Sequence, residues 1–255
     1  DDYWMGQPAA REVRLNVVPE AATRVAGVIT GEYDLVTNLL PDQVPQFQGY
    51  DDVEVHSVPM DLVHMWVFDE QRPLMADVRM RKALSHAIDY DLLGRTIWGE
   101  HFNRPNGLQI PAFGELYDAD RTFFPYDPDL ARKLLAEAGY NGEEIVMRLV
   151  SGYYVGSGDA TQIIQAMWAK LGINMRIEMV ENQSQAFTPG GCDIRMLSAA
   201  FRFPDPLGGG VIVAFGPNSL PQKLGLWKPK NGYNDTAEKL LVADDPATRR
   251  TLFQR

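Results

Sequence analysis

Residues that form cross-links or bind metals are scarce in this sequence. The 255 residues include a single cysteine, Cys192, so no disulfide can form within the chain. None of the four histidines has a second histidine or a cysteine at the spacing of a zinc site. The sequence therefore predicts neither an internal disulfide nor a bound metal.

Long apolar runs and positive charge are also scarce. No stretch approaches the ~18–20 consecutive apolar residues of a membrane-spanning helix. The net charge is −10, because 34 acidic residues outnumber 24 lysines and arginines. Nucleic acids and anionic membranes bind clustered cations, so we expect neither as a main partner.

Motifs that hold nucleotides or catalyse reactions are missing. There is no G-x-x-x-x-G-K-[ST] phosphate loop, and SGYYVGSG (Ser151–Gly158) does not follow the G-x-G-x-x-G pattern. A hydrolase built on Asp205 or Glu115 would need an acid and a base with separated pKa values in one cleft, and no such pair is evident. We therefore expect no cofactor, no catalytic residue and no enzymatic activity.

The apolar periodicity that is present indicates an α/β fold. Hydrophobic residues make up 45% of the chain, an ordinary fraction for a globular protein. Alternating apolar residues at 11–18, a helical stretch at 20–30 and a short strand at 33–36 predict a first strand–helix–strand unit.

A second and larger set of elements is predicted from about Met60 onward. A helix with one apolar stripe, centred on Trp168, lies between two strands and indicates a parallel crossover. The stripe comprises Ile163, Ile164, Met167, Trp168 and Leu171. The strands are predicted at Leu62–Phe68, Glu144–Val150, Ile173–Val180 and Asp193–Ser198. Helices are predicted to begin at Asp77, Asp89, Asp127, Asp159, Asp235 and Asp244-Asp245-Pro246.

The stretch DIRMLSAAFRFPDP (193–206) is the strongest candidate for a binding site. Arg202 stands between Phe201 and Phe203 just beyond a predicted strand, where an open α/β sheet contacts its ligands. The loop Ser151–Gly158 follows another strand and contains two tyrosines. The alternative is a loop arginine paired with Asp205, with both phenylalanines in the core.

Several segments resemble one known family, the family 5 extracellular solute-binding proteins of ABC importers for peptides, nickel and opines. They are GEYDLV (31–36), PLMADVRMRKALSHAIDYDLL (73–93), YDPDLARKLLAEAGY (126–140), IIQAMWAKLGINMRIEM (163–179) and the FPDP turn (203–206). The resemblance spans nearly the whole chain.

The resemblance implies a type II periplasmic-binding-protein fold, with two α/β lobes, a hinge and a ligand in the cleft between them. Residues 1–57 would be the end of the first lobe, and residues 58–255 most of the second, truncated at its C-terminal end. The protein would be a monomer in the periplasm or a cell-surface lipoprotein. It would deliver a peptide-like, opine-like or oligosaccharide solute to an ABC permease. A ligand-sensing module without transport is the alternative.

One departure from the family bears on the ligand. Peptide-binding members usually read W-x-x-D-Y-x-D-P, in which the aspartate takes the amino terminus of the ligand, whereas this sequence has Arg202 at the aspartate position. A guanidinium repels an ammonium group but binds carboxylates and phosphates well. The expected ligand-binding residues are Arg202, Phe201, Tyr153, Tyr154, Asn106 and Trp66.

Overall fold

The chain divides into two compact units, which comprise residues 1–55 and residues 56–255. The computed structural model describes residues 4, 6–7, 9–58, 60–121, 123–208 and 214–255. Each unit is treated by itself below. The assignment of residues 1–57 and 58–255 to two lobes stays a prediction.

The described part of the first unit contains one α-helix, α1 (Ala21–Ile29), and a 3-10 helix at Pro41–Phe47. Its predicted strands at 11–18 and 33–36 do not form among the described residues. The apolar side chains of Val13, Leu15 and Val17 are exposed instead. A strand needs a neighbour for its backbone N–H and C=O groups, and none of the described residues provides one here. The strand–helix–strand prediction was therefore wrong except for its helix.

A four-stranded sheet organises the second unit. Its order is β1-β4-β2-β3, with β1 antiparallel to β4 and with β2 parallel to both β3 and β4. The sheet confirms the predicted α/β class with a mixed sheet, and β2 and β3 form the predicted parallel crossover. The strands are β1 (Leu62–Phe68), β2 (Ile145–Val150), β3 (Met175–Val180) and β4 (Ile194–Ala200).

Nine α-helices accompany this sheet in the described part of the second unit. They are α2 (Pro73–Ala76), α3 (Val78–His86), α4 (Tyr90–Trp98), α5 (Pro128–Glu137), α6 (Ser157–Ala169), α7 (Gln183–Ala186), α8 (Leu220–Lys223), α9 (Tyr233–Val242) and α10 (Pro246–Gln254). Short 3-10 helices occur at Gly99–His101, Pro111–Leu116 and Pro206–Gly208.

Aspartate caps begin four of the helices. The carboxylates of Asp77, Asp89, Asp127 and Asp245 each accept a hydrogen bond from a backbone N–H in the first helical turn. The predicted caps at Asp159 and Asp235 were wrong, because both lie inside the first turn. Left-handed glycines, Gly156 and Gly232, precede those two helices and start them earlier.

One face of the sheet carries the main core. Met147 of β2 pairs with Ile194 of β4, and both belong to the same buried cluster as Trp168 of α6. The indole Nε1 of Trp168 donates to the Leu84 carbonyl of α3, 3.1 Å away. Of the predicted stripe, Ile164, Met167 and Trp168 are buried, whereas Ile163 and Leu171 at its edges are only partly buried.

The opposite face of the sheet carries two buried arginines. Arg148 of β2 and Arg195 of β4 are register partners one residue beyond Met147 and Ile194, so they point to the other face. Carbonyls at the α7 region accept from both: Gln185 O from Arg148 and Ala186 O from Arg195. Helical segments therefore cover both faces, as the predicted architecture requires.

Candidate functional site

Loops from several strands meet at one edge of the sheet. The parallel strands β2 and β4 both end there, at Val150 and Ala200, and β1 begins beside them with Leu62 opposite Ala200. The loops that follow β2 and β4 therefore leave the sheet side by side. These loops are the two candidate stretches from the sequence, so the topology brings the arginine and the tyrosines to the same edge.

Phe201 anchors the loop that follows β4. Its side chain is 6% exposed and packs edge-on against Phe113, with ring centroids 5.0 Å apart, in a cluster with Val63 and Ile110. Its backbone N–H donates to the Asp61 carbonyl. The ring of Phe201 is therefore committed to packing within this unit, and its contribution is to fix the start of the loop.

Arg202 follows at an exposed position. Its backbone N–H donates to the Gly208 carbonyl, which closes the loop on itself. The alternative that Asp205 neutralises Arg202 was wrong: Asp205 is paired with Arg249 and accepts a hydrogen bond from the Leu207 N–H. Among the described residues, the Arg202 guanidinium has no carboxylate partner.

Two tyrosines and a histidine form a row of rings at the same edge. Tyr153 and Tyr154 meet edge to face with centroids 4.7 Å apart, and Tyr154 meets the imidazole of His64 at 4.8 Å. Ser157 donates to the Tyr154 carbonyl at 2.7 Å and holds the loop before α6. We call Tyr153, Tyr154 and His64 the aromatic row.

His64 was not among the predicted site residues. It lies on β1 two positions before Trp66, directly opposite Ser198 of β4. The available signal was that His64 is the one polar residue in an otherwise apolar strand. Its neighbour in space, Tyr154, is ninety residues away along the chain, so no local pattern could reveal the contact.

Burial lowers the pKa of His64 below its ordinary value of 6.5. The folded protein therefore binds a proton at this imidazole only at a lower pH than the unfolded chain does. We expect the contribution of His64 to the free energy of unfolding to be fully present above about pH 6.5 and to be lost as the pH falls below it. Urea unfolding between about pH 7 and pH 5 should show a weaker pH dependence for His64→Gln than for the wild type. Equal slopes for the two proteins would contradict this expectation.

Trp66 packs against the core, and Asn106 makes a hydrogen bond within a loop. Trp66 is half-buried on the core face, edge-on to Trp168 at 5.7 Å. The Asn106 side-chain amide donates to the Asp118 carbonyl at 2.7 Å. Gln109 bonds the same residue twice, because its Nε2 donates to the Asp118 carbonyl and its Oε1 accepts from the Asp118 backbone N–H. Asn106 therefore belongs to the hydrogen bonds that connect two parts of the long loop before α5.

Among the described residues we find neither a cluster of metal ligands nor a helix that could span a membrane. No group of three or more histidine, cysteine, aspartate or glutamate side chains among them is arranged to hold a metal ion. Within the same residues, every helix is too short or too polar to cross a bilayer.

Comparisons with known proteins agree on one class of protein, the solute-binding proteins. The family model for bacterial extracellular solute-binding proteins, family 5 Middle, matches residues 1–218. The heme-binding protein A of Haemophilus influenzae is 27% identical over 180 residues, which are 68% of this chain and 32% of that protein. The dipeptide-binding protein of Escherichia coli is 24% identical over 186 residues, which are 71% and 34% of the two chains.

Solved structures support the same fold. A dipeptide-binding protein from Pseudoalteromonas sp. SM9913, in complex with Met-Leu, superposes with a TM-score of 0.82 at 22% identity, and the match covers 94% of this chain and 48% of that one. The chain thus spans about a third of the curated relatives it matches and about half of this structure. With the family match over 218 of 255 residues, we conclude that this chain belongs to the family 5 bacterial extracellular solute-binding proteins, a family of binding proteins and not of enzymes.

Proposed function

We propose that the complete protein is the solute-binding component of an ABC importer. The family membership supports this proposal, as do relatives named for heme and dipeptide binding. The protein would work outside the cytoplasm, in the periplasm or anchored at the cell surface, and pass its solute to a membrane permease. Binding without chemistry requires only contacts that are better in the ligand-bound conformation, which then becomes the dominant one.

Arg202 is the observation that carries a finer proposal, an acidic solute. The guanidinium lies exposed at the edge where two strand-end loops meet, and no described carboxylate neutralises it. A carboxylate or phosphate can accept two parallel hydrogen bonds from such a group, whereas the ammonium end of a peptide is repelled. Arg202 would therefore select the charged group of an anionic solute.

Mass spectrometry of solutes released from the natively purified complete protein tests the ligand class. We expect the released solutes to carry a carboxylate or phosphate. Binding of the main released solute should weaken about tenfold or more in Arg202→Gln, because hydrogen bonds to charged groups contribute about 1.5–3 kcal/mol. Isothermal titration calorimetry measures the change.

Arg176→Gln is the matched control for this experiment. Arg176 is also on the surface, where it pairs with Glu144, but it lies near the start of β3, at the other edge of the sheet. Its replacement should leave the affinity unchanged. Equal affinities of wild type and Arg202→Gln, or release of only uncharged or cationic solutes, would contradict an acidic ligand.

A further inference from the structure

The aromatic row crosses the sheet edge from the loop after β2 to β1. Arg148 and Arg195 are register partners, so two residues later Val150 lies level with Leu197 of β4. Tyr154 then reaches His64, which lies opposite Ser198 on the far side of β4. The row therefore lies at the carboxyl end of β4, next to the point where the loop that contains Arg202 begins.

Exposure increases along the row. His64 and Tyr154 are half-buried, and Tyr153 at the outer end is 58% exposed. Tyr153 and Tyr154 meet edge to face at an interplanar angle of 84°, and Tyr154 meets His64 in a tilted arrangement at 55°. The outermost ring is thus supported from below while much of its own surface stays accessible. Neither tyrosine hydroxyl makes a hydrogen bond to a described residue.

The row is also free of formal charge. The loop Ser151–Gly158 contains no ionisable side chain except its two tyrosines. Burial lowers the pKa of His64 below 6.5, which favours the uncharged imidazole at neutral pH. An uncharged aromatic surface attracts other rings by dispersion and by edge-to-face contact. A flexible chain without a ring makes no such ring–ring contact with it.

Arg202 lies beyond the same end of β4 as this surface. Ser198, opposite His64, precedes Arg202 by four residues, so the Cα atoms of Ser198 and Arg202 are at most about 14 Å apart. The same sheet edge therefore offers both an aromatic surface and a cation.

We propose that Tyr153 receives a ring of the solute against its own ring while Arg202 holds the acidic group. The inference rests on the proposed function and narrows the ligand to acids that carry a ring with an apolar face. Two sources share this chemistry: aromatic acids, whose rings are planar, and sugar acids, whose chair rings present C–H groups on one face. Tyr154 and His64 act as positioning residues that fix the orientation of Tyr153.

Titration calorimetry on the complete protein with three acids tests the inference. The probes are 4-hydroxyphenylacetate as an aromatic acid, glucuronate as a sugar acid and adipate as an acid without a ring. We expect at least one ring-bearing acid to bind more tightly than adipate. Tyr153→Leu should weaken that acid about three- to tenfold and leave adipate unchanged, whereas Tyr153→Phe, which retains the ring, should stay close to the wild type.

The controls separate this inference from the proposed function. Tyr126→Leu removes another half-exposed tyrosine, located just before α5, and should change nothing. If Arg202→Gln weakens the acids but Tyr153→Leu has no effect, the inference is overturned and the proposed function stands. If Tyr153→Leu weakens a ring-bearing acid and Arg202→Gln does not, Arg202 does not hold the acidic group, and both the inference and the proposal of an anion contact at Arg202 are overturned. The inference is also overturned if adipate binds as tightly as both ring-bearing acids, or if neither ring-bearing acid binds.

Discussion

Replacing Trp168 by alanine is expected to lower the free energy of unfolding by about 3–5 kcal/mol, the range for large-to-small changes in a packed core. The indole is 1% exposed and packs between the sheet and α3. Its truncation removes the edge-on contact with Trp66 and leaves the Leu84 carbonyl without its donor. Urea unfolding of the complete protein, followed by circular dichroism, measures the loss.

Two further variants show whether the loss comes from core packing. Trp168→Phe keeps an aromatic ring but removes the indole N–H, so its effect should be clearly smaller than that of alanine. Leu92→Ala on α4 removes a side chain that is 54% exposed and should change stability by less than about 0.5 kcal/mol. A Trp168→Ala protein as stable as Leu92→Ala would refute the packing described here.

Loss of the Asp69 carboxylate should be of similar size, because it leaves Arg195 buried as an uncompensated charge. Arg195 is 0% exposed, and its Nη1 lies 3.1 Å from Asp69 Oδ2. Its Nη2 already has no hydrogen-bond partner among the described residues. Breaking a buried pair of this kind costs about 3–5 kcal/mol, so Asp69→Ala should be strongly destabilised in urea unfolding.

The Arg176–Glu144 pair provides the control for Asp69→Ala. Its N–O distance of 2.9 Å is similar, but both side chains are about half-exposed. Glu144→Ala should therefore cost only about 0–1 kcal/mol. In the double variant Asp69→Ala with Arg195→Met, removal of the stranded charge should restore part of the stability. If Asp69→Ala and Glu144→Ala are equally mild, burial does not govern this ion pair.

Local features of the sequence determined most elements of the second unit. The extended apolar run Leu62–Phe68 predicted β1 to the residue, and the aspartates before α3, α4 and α5 predicted where those helices begin. Both signals act over a few residues, since a cap satisfies nearby N–H groups and a short apolar run spans a single strand. The spacing around Trp168 likewise predicted which side of α6 enters the core.

Only the tertiary structure decided which residues meet at the sheet edge. The loop sequence could not distinguish a buried Phe201 from an exposed one, or show that Asp205 pairs with Arg249 and leaves Arg202 without it. The contact of His64 with Tyr154 likewise depends on the pairing of β1 with β4. The residues at 11–18 show the opposite case, since their alternation was clear but no described strand pairs with them. Local patterns record the preferences of a segment, whereas its neighbours depend on pairings between distant parts of the chain, which no short window contains.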